Sequence, residues 1–324
     1  MGAARPTRLQ LALVLGVATL AISFGAIFYR LAEASAAQAP GGPGPGFGLL
    51  AACVRMGVAG LLLGPPGIRA AWRAQPRPAP RALALTIASG SLLALHFATW
   101  ISSLQYTTVA ASTALVNTNP VWVSLLAWIA LSERPRSRVL LGAAVAIVGG
   151  GLIALADAGA AGRAGASPLL GDGLALLGAM AASGYYLIGR AAQRAGLSLT
   201  VYAGLTYAVA GLALLPAPYL AGAAYLGHPP ATYGLLVLLA LVPQLIGHTG
   251  VNWSVKHLDA TLVAVILLIE PIGSSLLAMA LLDERPPPAT LAGVLVLLLG
   301  VALAIRGAGR ATQDPQAPGA KRSK

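Results

Sequence analysis

Charge is scarce in this chain of 324 residues: Asp, Glu, Lys and Arg together make up 9%, whereas 57% of residues are hydrophobic. Soluble domains carry about 25% charged residues, so the main solvent of this chain is lipid. Acidic groups number 9 in all, and Glu270 alone lies well inside an apolar span, which argues against multi-step proton relays. The single Cys53 rules out an internal disulfide, and its apolar surroundings read as those of a small buried hydrophobe. No glycine-rich loop ending in Lys and Ser or Thr is found, so ATP is not the energy source. No His-Glu-x-x-His, paired carboxylates or nucleophile with its base is found either, so no enzyme, no metal and no cofactor is expected. The net charge of +12 lies between apolar segments and needs no nucleic acid to explain it.

What the chain does have is apolar length. Ten segments are long enough to span a bilayer as helix: 9–31, 48–64, 82–104, 109–131, 139–156, 173–188, 199–216, 233–253, 261–282 and 290–305. Backbone groups cannot be left unpaired in hydrocarbon, so each is read as helix. Pro- and Gly-rich stretches at 40–46, 76–80 and 286–288 and a Gly/Ala linker mark connections. With the N-terminus cytoplasmic, seventeen Lys and Arg lie inside and only Arg30, Arg163 and Arg285 outside, which places both termini in the cytoplasm. The basic tail 307–324 is read as disordered and held to anionic membrane lipids.

The chain also repeats itself. Pro120, Ser124, Leu125, Leu126, Ala127, Leu131, Glu133, Arg134, Pro135, Leu140, Gly142 and Gly149 each recur as the same residue 151 positions later. Residues 1–156 and 172–306 are therefore expected to be two five-helix repeats joined by an external linker at 157–171. An odd number of crossings inverts the second repeat, the arrangement of alternating-access transporters. The external copy of the motif lacks Arg136 and Arg138, as positive-inside bias requires. A weaker echo relates Ser23 and Arg30 to Ser183 and Arg190.

The two span-ends 120–135 and 271–286 resemble those of the drug/metabolite transporter superfamily, EamA type, and the resemblance covers 9–306. It implies a bacterial inner-membrane carrier, commonly an exporter of amino acids or other small metabolites, with a pocket near the midplane. Aromatic amino acid exporters are one such group. Asn119 stands where the second copy has Glu270, so the halves differ chemically at the proline.

Candidate site residues lie within the spans. Pro120 and Pro271 each free a carbonyl four residues back, and act either as hinges or as static kinks. Glu270 costs about 2.5 to 3.5 kcal/mol at mid-bilayer, so it should face the bundle, as a proton or cation site or as an interhelical hydrogen bonder. Arg55 must snorkel, pair with Glu270 or meet a solute carboxylate. Gln244, His248 and Asn252 fall on one face of the eighth span, and Ser89, His96, Trp100 and Ser103 form a stripe on the third; each stripe serves either packing or a pocket. Trp100, Trp122, Tyr185 and Tyr186 offer stacking surfaces, and Asn117 a hydrogen bond beside the kink.

The reading is thus an all-α membrane protein of ten helices in two inverted repeats. It is expected to be a secondary carrier for a small organic solute such as an amino acid, moving outward, with proton coupling as a candidate. A channel-like facilitator is the first alternative and an intramembrane enzyme the second.

Overall fold

The computed structural model describes residues 6–131, 135–159, 167–255, 263 and 266–309. The described spans are helical apart from short breaks. The helices are α1 (Arg8–Ser23), α2 (Gly25–Ala36), α3 (Phe47–Arg73), α4 (Pro80–Ser103), α5 (Val109–Val116), α6 (Asn119–Leu131) and α7 (Ser137–Gly159). They continue as α8 (Pro168–Arg194), α9 (Leu199–Leu214), α10 (Ala217–Leu220), α11 (Pro230–Leu239), a π-helical stretch Ala240–His248, α12 (Thr249–Val255), α13 (Ile269–Leu281) and α14 (Pro288–Gly309). The tail 310–324, Glu133 and Arg134 lie outside the described residues.

Local sequence sets the helix starts. Thr7 and Gln10 cap α1 reciprocally, each side chain accepting the other's backbone N–H. Thr108 and Ser198 cap α5 and α9. Pro80, Pro168 and Pro230 open α4, α8 and α11, where a missing N–H leaves no bond unmade.

Seven helical segments among the described residues are long and apolar enough to cross a membrane: Arg8–Ala36, Phe47–Arg73, Pro80–Ser103, Ser137–Ala156, Leu199–Leu220, Pro230–Val251 and Pro288–Arg306. The pair α5 and α6, α8, and α13 fall where the fourth, sixth and ninth spans are expected. Large apolar side chains such as Leu61, Ile129, Leu155, Leu212 and Leu299 stand exposed on the outside, as lipid requires and water would not.

Packing follows the sequence duplication. α3 lies against α9 and α7 against α14, so the second and fifth spans each meet their own counterparts. α4 packs on α8 while α11 packs on α2, and α6 packs on α8 while α13 packs on α1. Each of these contacts has a mate with the halves exchanged, which is the pattern that a twofold relation generates. The GxxxG of α3 serves close approach: a Cβ at Gly60 would sit 3.0 Å from the Tyr207 carbonyl of α9.

Candidate functional site

Four of the expected spans are interrupted, and residues flanking the interruptions touch: Ser274 Oγ donates to the Ser23 carbonyl at 3.0 Å, and Asn117 Nδ2 to Glu270 Oε2 at 3.3 Å. The first breaks at Phe24, between α1 and α2. The fourth breaks at Asn117 and Thr118, between α5 and α6. Leu268, the counterpart of Asn117, is a turn before α13. In the eighth, Pro243 lacks an N–H and its ring displaces the preceding turn, so the helix widens into the π-helical stretch.

The prolines are accordingly not mid-helix kinks, as the sequence suggested. Pro120 and Pro271 each lie in the first turn of a new half-helix, where proline is tolerated. The half-helices are tied alike in both copies: Ser124 Oγ donates to the Pro120 carbonyl at 2.9 Å, and Ser275 Oγ to the Pro271 carbonyl at 2.6 Å. Trp122 Nε1 donates to Thr118 Oγ1 at 3.0 Å, which holds that ring to the break.

Arg55 sits among these interruptions, fully buried. Its Nε donates to Gln244 Oε1 at 3.0 Å. The guanidinium carbon lies 4.1 Å from the centroid of the Phe97 ring and 5.6 Å from that of Trp100. Nη1 and Nη2 have no hydrogen-bond partner among the described residues. A buried donor left unpaired costs about 1 to 3 kcal/mol and a charged one more, which the cation–π contact offsets only in part. Arg55 neither snorkels nor forms an ion pair with Glu270 among the described contacts. Gln244→Leu keeps the volume but strands Nε, and is expected to lower stability by about 1 to 3 kcal/mol in thermal unfolding of purified protein.

Beside Arg55 lies a cavity walled by Leu93, His96 and Phe97 of α4, Ala182, Tyr185 and Tyr186 of α8, Tyr207 of α9, and Gln244 and His248 of the π-helical stretch. Elements of both halves meet there. The cavity is narrow, close to the limit for holding one water. A larger solute needs the walls to part. His96 Nδ1 is bonded to the Gly178 carbonyl at 2.9 Å, and its ring lies parallel to Trp100 at 6.0 Å. His248 meets the Phe97 ring edge-on at 6.1 Å.

Glu270 is buried in the first turn of α13. Asn117 Nδ2, on the facing break, donates to its Oε2 at 3.3 Å and to the Thr113 carbonyl at 2.8 Å. The two broken spans therefore touch through this pair.

His96, Tyr186, Gln244 and His248 share the cavity wall, with Arg55 and Trp100 directly behind. Asn117 and Glu270 form their own pair, and the side chain of Asn252 lies outside the described residues. Tyr186 is less enclosed than expected, at 44% exposure. Ser89 and Ser103 belong to packing, Ser89 Oγ lying 2.7 Å from the Tyr202 hydroxyl and Ser103 Oγ 2.7 Å from Ser112 Oγ. Phe97 and Tyr207 escaped sequence reasoning. A buried arginine needs a ring face, and Phe97 adjoins His96, but nothing local ranks it above other aromatics.

At the end of α2, a second polar cluster joins residues of the two halves. Arg30 of α2 pairs with Glu33 at 3.3 Å and with Glu284 at 3.6 Å, and its Nη2 donates to the Thr107 carbonyl at 2.9 Å. Glu284 Oε1 also accepts the first N–H of α5, from Val109, at 2.5 Å. Asp283 takes φ 50°, a left-handed conformation that Asp tolerates, just before the carboxylate that makes these contacts.

The profile of the EamA-like transporter family matches residues 48–155 and 169–306. A probable terminal-alkyne amino-acid exporter from Streptantibioticus cattleyicolor is 30% identical over 217 residues, 65% of this chain and 69% of that protein. An uncharacterized transporter from Archaeoglobus fulgidus is 24% identical over 224 residues, 68% of this chain and 75% of that protein. A solved crystal structure superposes with a TM-score of 0.56 at 19% identity, covering 95% of this chain and 100% of the other, and shares the fold. The chain belongs to the EamA-like transporter family.

Proposed function

We propose that this member of the EamA-like transporter family is a secondary carrier of a small organic solute, an amino acid or related metabolite. It works by alternating access between inverted halves, 1–156 and 172–306, and moves its solute outward across a bacterial inner membrane with both termini cytoplasmic. The observation that carries the reading is the cavity beside a fully buried Arg55, walled by helices of both halves. Intramembrane charge is costly and marks solute paths, and a site shared between two units is exposed alternately as they rock. The mated packing of α4 on α8 and α11 on α2 supports the inverted arrangement, and the amino-acid exporter from Streptantibioticus supports amino acids as the solute class.

Counterflow tests it. Proteoliposomes preloaded with an unlabelled amino acid should take up the labelled one transiently above equilibrium; uptake that rises linearly without exchange indicates a facilitator and defeats the carrier. Glu270 and Asn117 join the two broken spans, which makes Glu270 the candidate coupling group. Glu270→Gln, fixed in the neutral form, should retain counterflow but lose solute movement driven by a pH gradient. Undiminished gradient-driven flux in this variant removes proton coupling through Glu270.

A further inference from the structure

We propose that the solute must carry a carboxylate, and that it is received by Arg55 through Nη1 and Nη2 with Trp100 Nε1 beside them. The proposal rests on the carrier reading and names the recognition chemistry of the same site. Three buried side-chain nitrogens lack a partner among the described residues at and next to Arg55: both Nη atoms, and Nε1 of Trp100, whose ring centroid lies 5.6 Å from the guanidinium carbon. All three are donors. What completes them is therefore an acceptor, and the buried guanidinium charge selects a negative one. Nε is already held by Gln244 at 3.0 Å, which fixes the plane of the guanidinium and leaves its Nη1–Nη2 edge as the free one. That edge matches the two oxygens of a carboxylate in a planar, bidentate fit.

The acid within the bundle does not fill this role. Glu270 accepts from Asn117 and makes no hydrogen bond to Arg55 among the described contacts. Gly25, the first residue of α2, borders this edge. A Cβ there would lie 3.8 Å from Arg55 Nη1 and 3.4 Å from the Trp100 ring. The rest of the solute would occupy the adjoining cavity, whose Phe97, Tyr186, Tyr207 and His248 walls suit an aromatic or apolar body. Phe97 and Gln244 stand between cavity and guanidinium, so the carboxylate reaches Arg55 only as the halves move.

The test is ligand-induced thermal stabilisation of the purified, full-length protein with four probes of one shape: phenylalanine, 3-phenylpropanoate, phenylalaninamide and 2-phenylethylamine. The two carboxylates should stabilise at concentrations at least about tenfold lower than the amide and amine, the loss expected when a charged hydrogen-bonded partner is removed. Chloride and phosphate should not substitute. Arg55→Lys keeps the charge but not the fork, and should weaken the carboxylates by about tenfold while leaving the amine unaffected. Equal stabilisation by amide and carboxylate, stabilisation by inorganic anions alone, or an unchanged carboxylate preference in Arg55→Lys each overturns the proposal. Should that variant not fold, the ranking of the four probes on the native protein decides alone. Carboxylate-dependent stabilisation without counterflow would uphold the anion site and sink the carrier, whereas counterflow with no preference for a carboxylate would do the reverse.

Discussion

Gly300→Leu should prevent the protein from assembling, with loss of the monodisperse peak in size-exclusion chromatography of detergent extracts. α7 and α14 share the most extensive interhelical seam among the described residues, and glycines bring their backbones together. A Cβ at Gly300 would lie 2.3 Å from the Ala146 nitrogen and 2.7 Å from the Gly142 carbonyl. Reciprocally, one at Gly142 would lie 2.3 Å from the Ala304 nitrogen. The obstruction is backbone, so no rotamer relieves it and the helices must separate. Ordinary overpacking costs about 1 to 3 kcal/mol, and this case should exceed that, a large share of the 5 to 15 kcal/mol that holds a typical protein folded. Gly151→Leu is the control. A Cβ there meets nothing within 4 Å, so this variant should elute and melt as the native protein does.

Arg30→Met should open the bundle at the end of α2. The methionine keeps much of the side chain's length but removes both ion pairs, to Glu33 and Glu284, and the bond to the Thr107 carbonyl. Glu284 would then no longer hold α13 and α5 to α2. Arg30 and Glu284 are both about one-fifth exposed, at 23% and 20%, so solvent screens the pair only in part. About 1.4 kcal/mol lost from the closed form shifts the balance of states tenfold. Ser112→Cys in a Cys53→Ser background reports it, because Ser112 is wholly buried against Ser103 in the turn below the α5 cap. A membrane-impermeant thiol reagent added on the side away from the termini should label it about tenfold faster in Arg30→Met. Equal labelling would mean that the cluster does not control access.

The duplication was readable because it is a matter of residue identity at a fixed spacing. Gly142, Gly149, Gly293 and Gly300 belonged to it, yet their purpose was invisible until α7 and α14 were seen to cross at them. Pro120 and Pro271 announced a disturbance but not its form. Whether a proline kinks a helix or opens a new one depends on where the preceding helix stops, and at the first break the side chains of Asn117 and Thr118 take up the Thr113 and Leu115 carbonyls. The stripe in the eighth span assumed 3.6 residues per turn; Pro243 widens the helix, and Gln244 and His248 reach the cavity on that altered spacing.

Hydropathy and the spacing of the repeats, both properties of the chain read in one dimension, determined an all-helical membrane protein. In lipid every backbone amide must be paired, so a spanning segment is a helix or a strand of a closed barrel, and apolar runs of this length leave helix. Which donors lack an acceptor was decided only in three dimensions. Arg55 lies 189 positions from Gln244, and Asn117 lies 153 from Glu270. Hydrogen bonds at such separations depend on how helices pack, which no local pattern encodes, and the unfilled edge of Arg55 is what remains after that packing has matched everything else.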